Sequence, residues 1–248
     1  MTMNKVNIYL SIFLFSLILF ASCEKSTETK DLSTLTYYAE FEMTGEEVML
    51  IAQNSTYTEP GCKAFENGAE IAVVTEISGL NSGATSMNPA VSDLYTITYT
   101  ATNSDGFSAS VQRQVWVVGE QNLTNSLAGL YRSTVIRNGS TSAQYTNMEY
   151  ILIWKTADNQ YQISDAIGGY YDMGRGYGSG YRSTGLKINV VDLAANSFTF
   201  NDPVSVGTFG GNVTVDAMTV DAATNSINLI TTWDSGYTFD FTLTQVEF

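Results

Sequence analysis

Not one histidine occurs among the 248 residues. Imidazole is the side chain that changes charge near neutral pH, the base of Ser-His-Asp and Cys-His catalysis, and a frequent zinc ligand. Its absence leaves only carboxylate, tyrosine, lysine or substrate-assisted chemistry. Cysteine is nearly as scarce, at two, so no disulfide framework can be built. Positive charge is sparse too: 11 Lys and Arg stand against 25 Asp and Glu, for a net charge of −14, without a basic cluster. Such a chain repels nucleic acid and anionic lipid surfaces alike. Only 15% of residues are charged, while Tyr, Thr, Ser, Asn and Gly abound. That palette suits β-sheets with polar, uncharged outer faces.

One apolar run is present, from Ile8 to Ala21, broken by Ser11 and Ser16 and preceded by Lys5. A basic start, an apolar middle and small residues at the end form a secretory signal. A bilayer span needs about 20 apolar residues, and this run is shorter. A retained membrane helix and ordinary secretion are the alternatives. Phe20-Ala21-Ser22-Cys23 resembles the lipobox of bacterial lipoproteins, with Phe20 where Leu is usual. The resemblance implies cleavage before Cys23, acylation of its thiol and new N-terminus, and the lipid bilayer as a partner. Residues 1–22 are then a signal peptide. Residues 23–34, polar and aperiodic, are a lipidated flexible tether. Acylation of Cys23 leaves Cys62 without an intramolecular partner, either a reactive thiol or a small buried hydrophobe.

From Leu35 the pattern alternates: Leu35, Tyr37, Ala39, Phe41 and Met43 share one face. Short runs follow at Val48 to Ala52, Ile71 to Ile77, Tyr95 to Ala101 and Ala109 to Val117, punctuated by Glu59-Pro60-Gly61 and Asn103-Ser104-Asp105-Gly106. Short alternating strands without a helical period predict a β-sandwich over residues 35–118. Tyr57-x-Glu59-Pro60-Gly61-x-x-Ala64, the Tyr95 to Ala109 strand–turn–strand and Arg113-x-Val115-x-Val117 together resemble the bacterial surface Ig-like repeat. Glu59 stands where that family usually has Asp. In such proteins the module is mostly a spacer. Asp93-Leu94-Tyr95 resembles a tyrosine corner, in which the phenol hydroxyl ties the strand start to a nearby loop.

Residues 119–126 are polar and read as a linker, and residues 127–248 as a second domain. Its strand candidates are Leu127 to Val135, Tyr150 to Thr156, Tyr161 to Ile167, Leu186 to Val191, Ser197 to Asn201, Val213 to Val220, Ser226 to Thr232 and Tyr237 to Val246. Eight strands in meander order predict an antiparallel barrel or a two-sheet sandwich. Gly129-Leu130-Tyr131-x-Ser133-Thr134 with a late Trp233 resembles the uncharacterised C-terminal domain that accompanies this Ig-like module in Bacteroides-type lipoproteins. That resemblance implies no established activity, but it does imply a setting beside outer-membrane glycan-uptake machinery.

The unusual stretch runs from Asp165 to Arg182, with four tyrosines (Tyr170, Tyr171, Tyr177, Tyr181) among many glycines. Glycine permits close backbone approach, and tyrosine presents a flat amphipathic face that a sugar ring can stack on. Asp172, Arg175 and Arg182 would supply hydrogen bonds around it. The competing reading makes these tyrosines a plug for the end of a barrel. Gly174-x-Gly176-x-Gly178 is no phosphate loop, because no Lys-Ser/Thr and no helix follow. Asp165 with Asp172, or Asp234 with Asp240, become a glycosidase pair only if their spacing in space allows it. Asn103 to Asp105 lacks a full calcium pattern. Trp154 shares a face with Tyr150 and Leu152 and reads as core. Trp116 is exposed or at a domain junction. Trp233, beside Asp234-Ser235-Gly236 at a strand end, is the leading exposed aromatic.

The resulting expectation is an all-β envelope lipoprotein with an Ig-like spacer and a barrel or sandwich head. It is not an enzyme and has no cofactor or metal. It binds glycan through Tyr170, Tyr171, Asp172, Arg175, Tyr177, Tyr181, Arg182 and Trp233. The alternative is a structural or protein-interaction component of an envelope complex, with other envelope proteins as partners. An outer-membrane location is expected, on either face.

Overall fold

Alternation of inward and outward side chains yields sixteen strands among the described residues, 35–247, of this computed structural model. The expected signal peptide, the lipidation site expected at Cys23 and the expected 23–34 tether lie outside the described residues. Of the leading unit, Met1–Tyr38, residues 35–38 are described and carry no regular secondary structure. The strand expected from Leu35 therefore begins only at Glu40.

Residues Ala39–Phe248 form one contact unit. Its first part has two facing sheets. One is three-stranded, in the order β1 (Glu40–Met43), β3 (Cys62–Glu66), β4 (Ala69–Ile71). The other orders β2 (Val48–Ala52), β7 (Ser108–Val118), β6 (Asp93–Thr102) and β5 (Val73–Gly79), with β2 parallel to β7. Asn67 and Gly68, both at positive φ (48° and 80°), make the two-residue turn between β3 and β4, the preferred hairpin chemistry. Tyr95, Ile97, Tyr99, Val115 and Val117 fill the space between the sheets. The Tyr95 hydroxyl donates to the Asn88 carbonyl at 3.1 Å, so the corner expected at Asp93-Leu94-Tyr95 is formed.

The opposite face of β6 and β7 is also apolar. Leu94, Trp116 and Val118 bury themselves against Leu130 and Leu152, with Leu50, Tyr150 and Trp154 packed around them. Trp116 meets Tyr150 edge-on at 5.6 Å. Trp116 thus sits at the junction between the Ig-like sheets and the head, and Trp154 is half-buried there rather than in the head core. Residues 119–126, polar enough to read as a hinge, are pinned by Leu123, which is buried in the head core.

The head is a single nine-stranded antiparallel sheet. Its strands are β8 (Gly129–Arg137), β9 (Met148–Ala157), β10 (Gln160–Ile163), β11 (Lys187–Asp192), β12 (Ser197–Phe200), β13 (Val204–Val206), β14 (Gly210–Asp221), β15 (Ser226–Trp233) and β16 (Tyr237–Gln245). The order is β12-β11-β10-β9-β8-β16-β15-β14-β13. First and last strands pair in the middle, so the sheet curls into a half-barrel whose two ends, β12 and β13, are not neighbours in it. The sequence missed β13, which is too short to alternate. Odd-numbered side chains of β8, β15 and β16 point inward: Tyr131, Ser133 and Val135; Ile227, Leu229, Thr231 and Trp233; Phe239, Phe241 and Leu243 are all buried.

Candidate functional site: an aromatic platform at the end of the half-barrel

Between β10 and β11 the chain leaves the sheet over residues 164–186, and its first part enters the concave face. Two inward hydroxyls receive it: Ser133 Oγ donates to the Gly168 carbonyl at 2.7 Å and Thr231 Oγ1 to the Ala166 carbonyl at 2.9 Å. Only glycine fits at 168. Its φ is +66°, and a Cβ would stand 2.7 Å from the Phe241 ring. Asp165 is wholly buried and accepts N–H bonds from Ile167 (3.1 Å), Gly169 (3.1 Å) and Ser183 (2.9 Å). One carboxyl therefore ties the beginning of the excursion to its end, 18 residues later. Burial pushes Asp165 up to about 7, against the pull of the Ser183 and Ile167 amides and Arg182. A carboxyl so enclosed cannot serve a solvent-facing pair with Asp172.

The chain then makes a π-helical turn, Tyr170–Gly174, a wide turn that places two consecutive tyrosines inward. Tyr170 stacks on Tyr145 (4.3 Å, 15°) and leans on Phe239. Tyr171 stands edge-on to Tyr170, Phe209 and Trp233. Beyond the turn, Tyr177 stacks parallel to Tyr171 at 6.1 Å, and Tyr181 packs on Tyr177 and Phe209 at 5.2 and 4.9 Å. Tyr177 is 50% exposed and Phe209 47%. A continuous layer of rings thus runs from the core to the surface.

The eight predicted site residues separate into two groups. Tyr170, Tyr171, Arg182 and Trp233 are buried, so Trp233 is not the exposed aromatic expected of it, and of the four tyrosines only Tyr177 and Tyr181 reach solvent appreciably. Trp233 completes the inward row of β15, and its indole N–H donates to the Gly210 carbonyl at 3.1 Å. Arg182 lies beneath the loop, its Nε 3.5 Å from Asp172 Oδ2. Burial raises the Asp172 carboxyl and Arg182 opposes the rise. Arg175 and Tyr177 are exposed, and Tyr181 and Asp172 half-buried, so these four reach the surface. The plug and the platform are successive parts of one excursion.

Sequence reasoning missed Phe209, Tyr145, Tyr237 and Arg137. Arg137 ends the inward row of β8, and its guanidinium lies 4.6 Å from the Tyr170 centroid and 4.5 Å from that of Tyr237. An arginine closing an alternating apolar row was the available signal. Phe209, held on the turn Gly207–Phe209, carries none beyond its flanking glycines. The platform is open rather than a cavity. Spaces of about 500 Å³ occur elsewhere, one by Gln53, Gly119 and Lys155, another along β5 by Thr75 and Ser86. Among the described residues no cluster of acidic or cysteine side chains could hold a metal ion.

Comparison with known proteins follows this division of the chain. A family model for a bacterial surface protein Ig-like domain matches residues 41–117, which supports a protein of the bacterial envelope surface. No curated protein matches. The crystal structure of the lipoprotein BT2262 from Bacteroides thetaiotaomicron is similar, with a TM-score of 0.64 and 24% identity over 84% of this chain and 100% of that one; at this identity the likeness is one of fold. A family model of a "-like, C-terminal domain" matches residues 120–245, just over half of the chain. The chain belongs to that C-terminal domain family, with a bacterial surface Ig-like domain in front of it.

Proposed function

We propose that this protein is an envelope lipoprotein, anchored through Cys23, whose head binds glycan without transforming it, as an accessory to polysaccharide uptake at the outer membrane. The observation that carries this reading is the ring layer ending at Tyr177 and Phe209, half-exposed and backed by buried Tyr171 and Trp233. Rings already held by other rings lose little freedom when a sugar stacks on them. Polar groups at the rim, Arg175 and Asp172, suit sugar hydroxyls. An open platform also suits an internal segment of a long polymer better than a closed pocket does.

The test is a glycan array probed with the full chain in detergent, repeated with Tyr177→Ala. Binding weakened by about 1–3 kcal/mol, the range of an aromatic hot spot, is expected. New reducing ends appearing on the bound glycan would overturn the non-catalytic part. Absence of any glycan binding, with an envelope protein captured through Phe209 and Tyr177, would favour the interaction reading instead.

A further inference from the structure

The described residues include eight Lys and Arg side chains. Five are in ion pairs: Lys63 with Glu70, Arg113 with Glu59, Arg132 with Glu149, Lys155 with Asp158 and Arg182 with Asp172. Lys187, Arg137 and Arg175 are in none. Lys187 stands apart on β11. The two arginines converge on one ring: Arg137 lies 4.6 Å and Arg175 5.9 Å from the Tyr170 centroid. In a chain with 25 acidic residues and net charge −14, carboxylates are plentiful, and they neutralise every other arginine described. The two left without one are neighbours at the aromatic end.

Their surroundings are built for cations rather than for carboxylates. Arg137 is held between the Tyr170 and Tyr237 faces and its Nη1 reaches the Tyr171 hydroxyl at 3.4 Å. Arg175 sits 6.0 Å from the Tyr145 ring and is exposed. Stacking between the two ring faces fixes the Arg137 guanidinium plane, while Arg175 lies beside the edges of the Tyr145–Tyr170 stack and reaches the surface there. A planar fork held in that way matches the two oxygens of a carboxylate or the oxygens of a sulfate.

We infer that the platform selects an acidic glycan, the carboxylate or sulfate of one sugar held by Arg175 and Arg137 while the ring stacks on Tyr177. This rests on the glycan reading above and narrows it. It also reconciles an acidic protein with an acidic ligand. Repulsion by the whole surface is screened within about 8 Å at physiological salt, and the two arginines act at contact.

The test uses the full chain in detergent and three polymers: polygalacturonate, carrying carboxylates; dextran sulfate, carrying sulfates; and dextran, carrying neither. At least tenfold tighter binding to one of the charged polymers than to dextran is expected, falling as salt rises. Arg175→Gln should lower that binding about tenfold with an unchanged melting temperature, because Arg175 is exposed. Arg137→Gln should lower it as well, with its melting temperature recorded to separate lost binding from lost packing. Dextran bound as tightly as the charged polymers, weakened by Tyr177→Ala and indifferent to Arg175→Gln, would overturn the acidic specificity and leave the platform standing. No binding to any of the three, together with a blank neutral and acidic glycan array, would overturn both.

Discussion

The Arg113 guanidinium, with no exposed side-chain surface, lies 3.0 Å by its Nε from Glu59 Oε1. Its other nitrogens donate to the carbonyls of Glu46, Thr44 and Gly61, and the hydroxyls of Tyr57 and Tyr99 both donate to the Glu59 carboxylate. The Glu-Pro-Gly turn is therefore the lid of a buried charge.

Glu59→Gln leaves that charge uncompensated. Breaking a buried pair from one side costs about 3–5 kcal/mol, and the partial exposure of Glu59 places this case near 3. Burial pushes the Glu59 carboxyl up, but Tyr57, Tyr99, the Gly61 N–H and Arg113 outweigh it and hold it below the usual range. A depressed carboxyl contributes stability above its unfolded value of about 4.3, and the contribution is lost as pH falls through the lower folded value. Chemical denaturation at pH 7 and pH 3 should show the Gln variant converging on the wild type in acid.

Asp165 acts in the opposite sense. Its folded value is raised to about 7, so the folded head holds a proton that the unfolded chain releases near 3.9. Stability should fall as pH rises from about 4 to about 7 and level off above. Thermal melts across that window, with Asp165→Asn removing the slope, provide the check; a wild-type melting temperature rising between pH 5 and 7 in the head would contradict it.

Two glycine substitutions separate plug from rim. At Gly168 an alanine meets both a positive φ and the Phe241 ring, and overpacking of this kind costs about 1–3 kcal/mol beyond the backbone strain. At Gly176 φ is also +66°, but nothing lies within 4 Å of a Cβ, so only about 1 kcal/mol of left-handed strain is expected. Denaturant midpoints of the two variants measure the difference.

Trp116→Ala removes the buried indole at the junction of the two sheet systems and should cost about 3–5 kcal/mol if both melt together. Calorimetry should show one transition in the wild type and two in the variant. Two transitions already present in the wild type would show that the Leu94–Leu152 cluster does not couple them.

Cys23→Ala should shift the protein from the membrane to the soluble fraction or leave the uncleaved precursor. Unchanged fractionation with a normally removed signal would exclude lipid attachment at Cys23.

Local periodicity made most of the strands legible. From Tyr95 to Ala101 every second side chain is buried, as the alternation requires. What the pattern could not give is direction within the 164–186 excursion. Tyr171 and Tyr177 are the same residue type among the same glycines, yet one is 7% exposed and the other 50%. The difference is made by contacts distant in sequence, Asp165 with Ser183 and Ser133 with Gly168. Trp233 misled for a related reason. Its Asp-Ser-Gly neighbours mark a turn, but Gly210 and Gly211 of the adjacent strand close over its indole. Arg137 escaped notice because one arginine at a strand end is common, and its two ring partners come from β16 and the excursion.

The half-barrel also bears on how copies of the protein tolerate crowding. Its two terminal strands span only four and three residues, and Val206 on the latter is bridged by Ser183 from the excursion. A short edge already occupied gives a neighbouring molecule few unpaired amides to zip onto. The two ends of the half-barrel therefore offer little backbone along which another copy could extend the sheet.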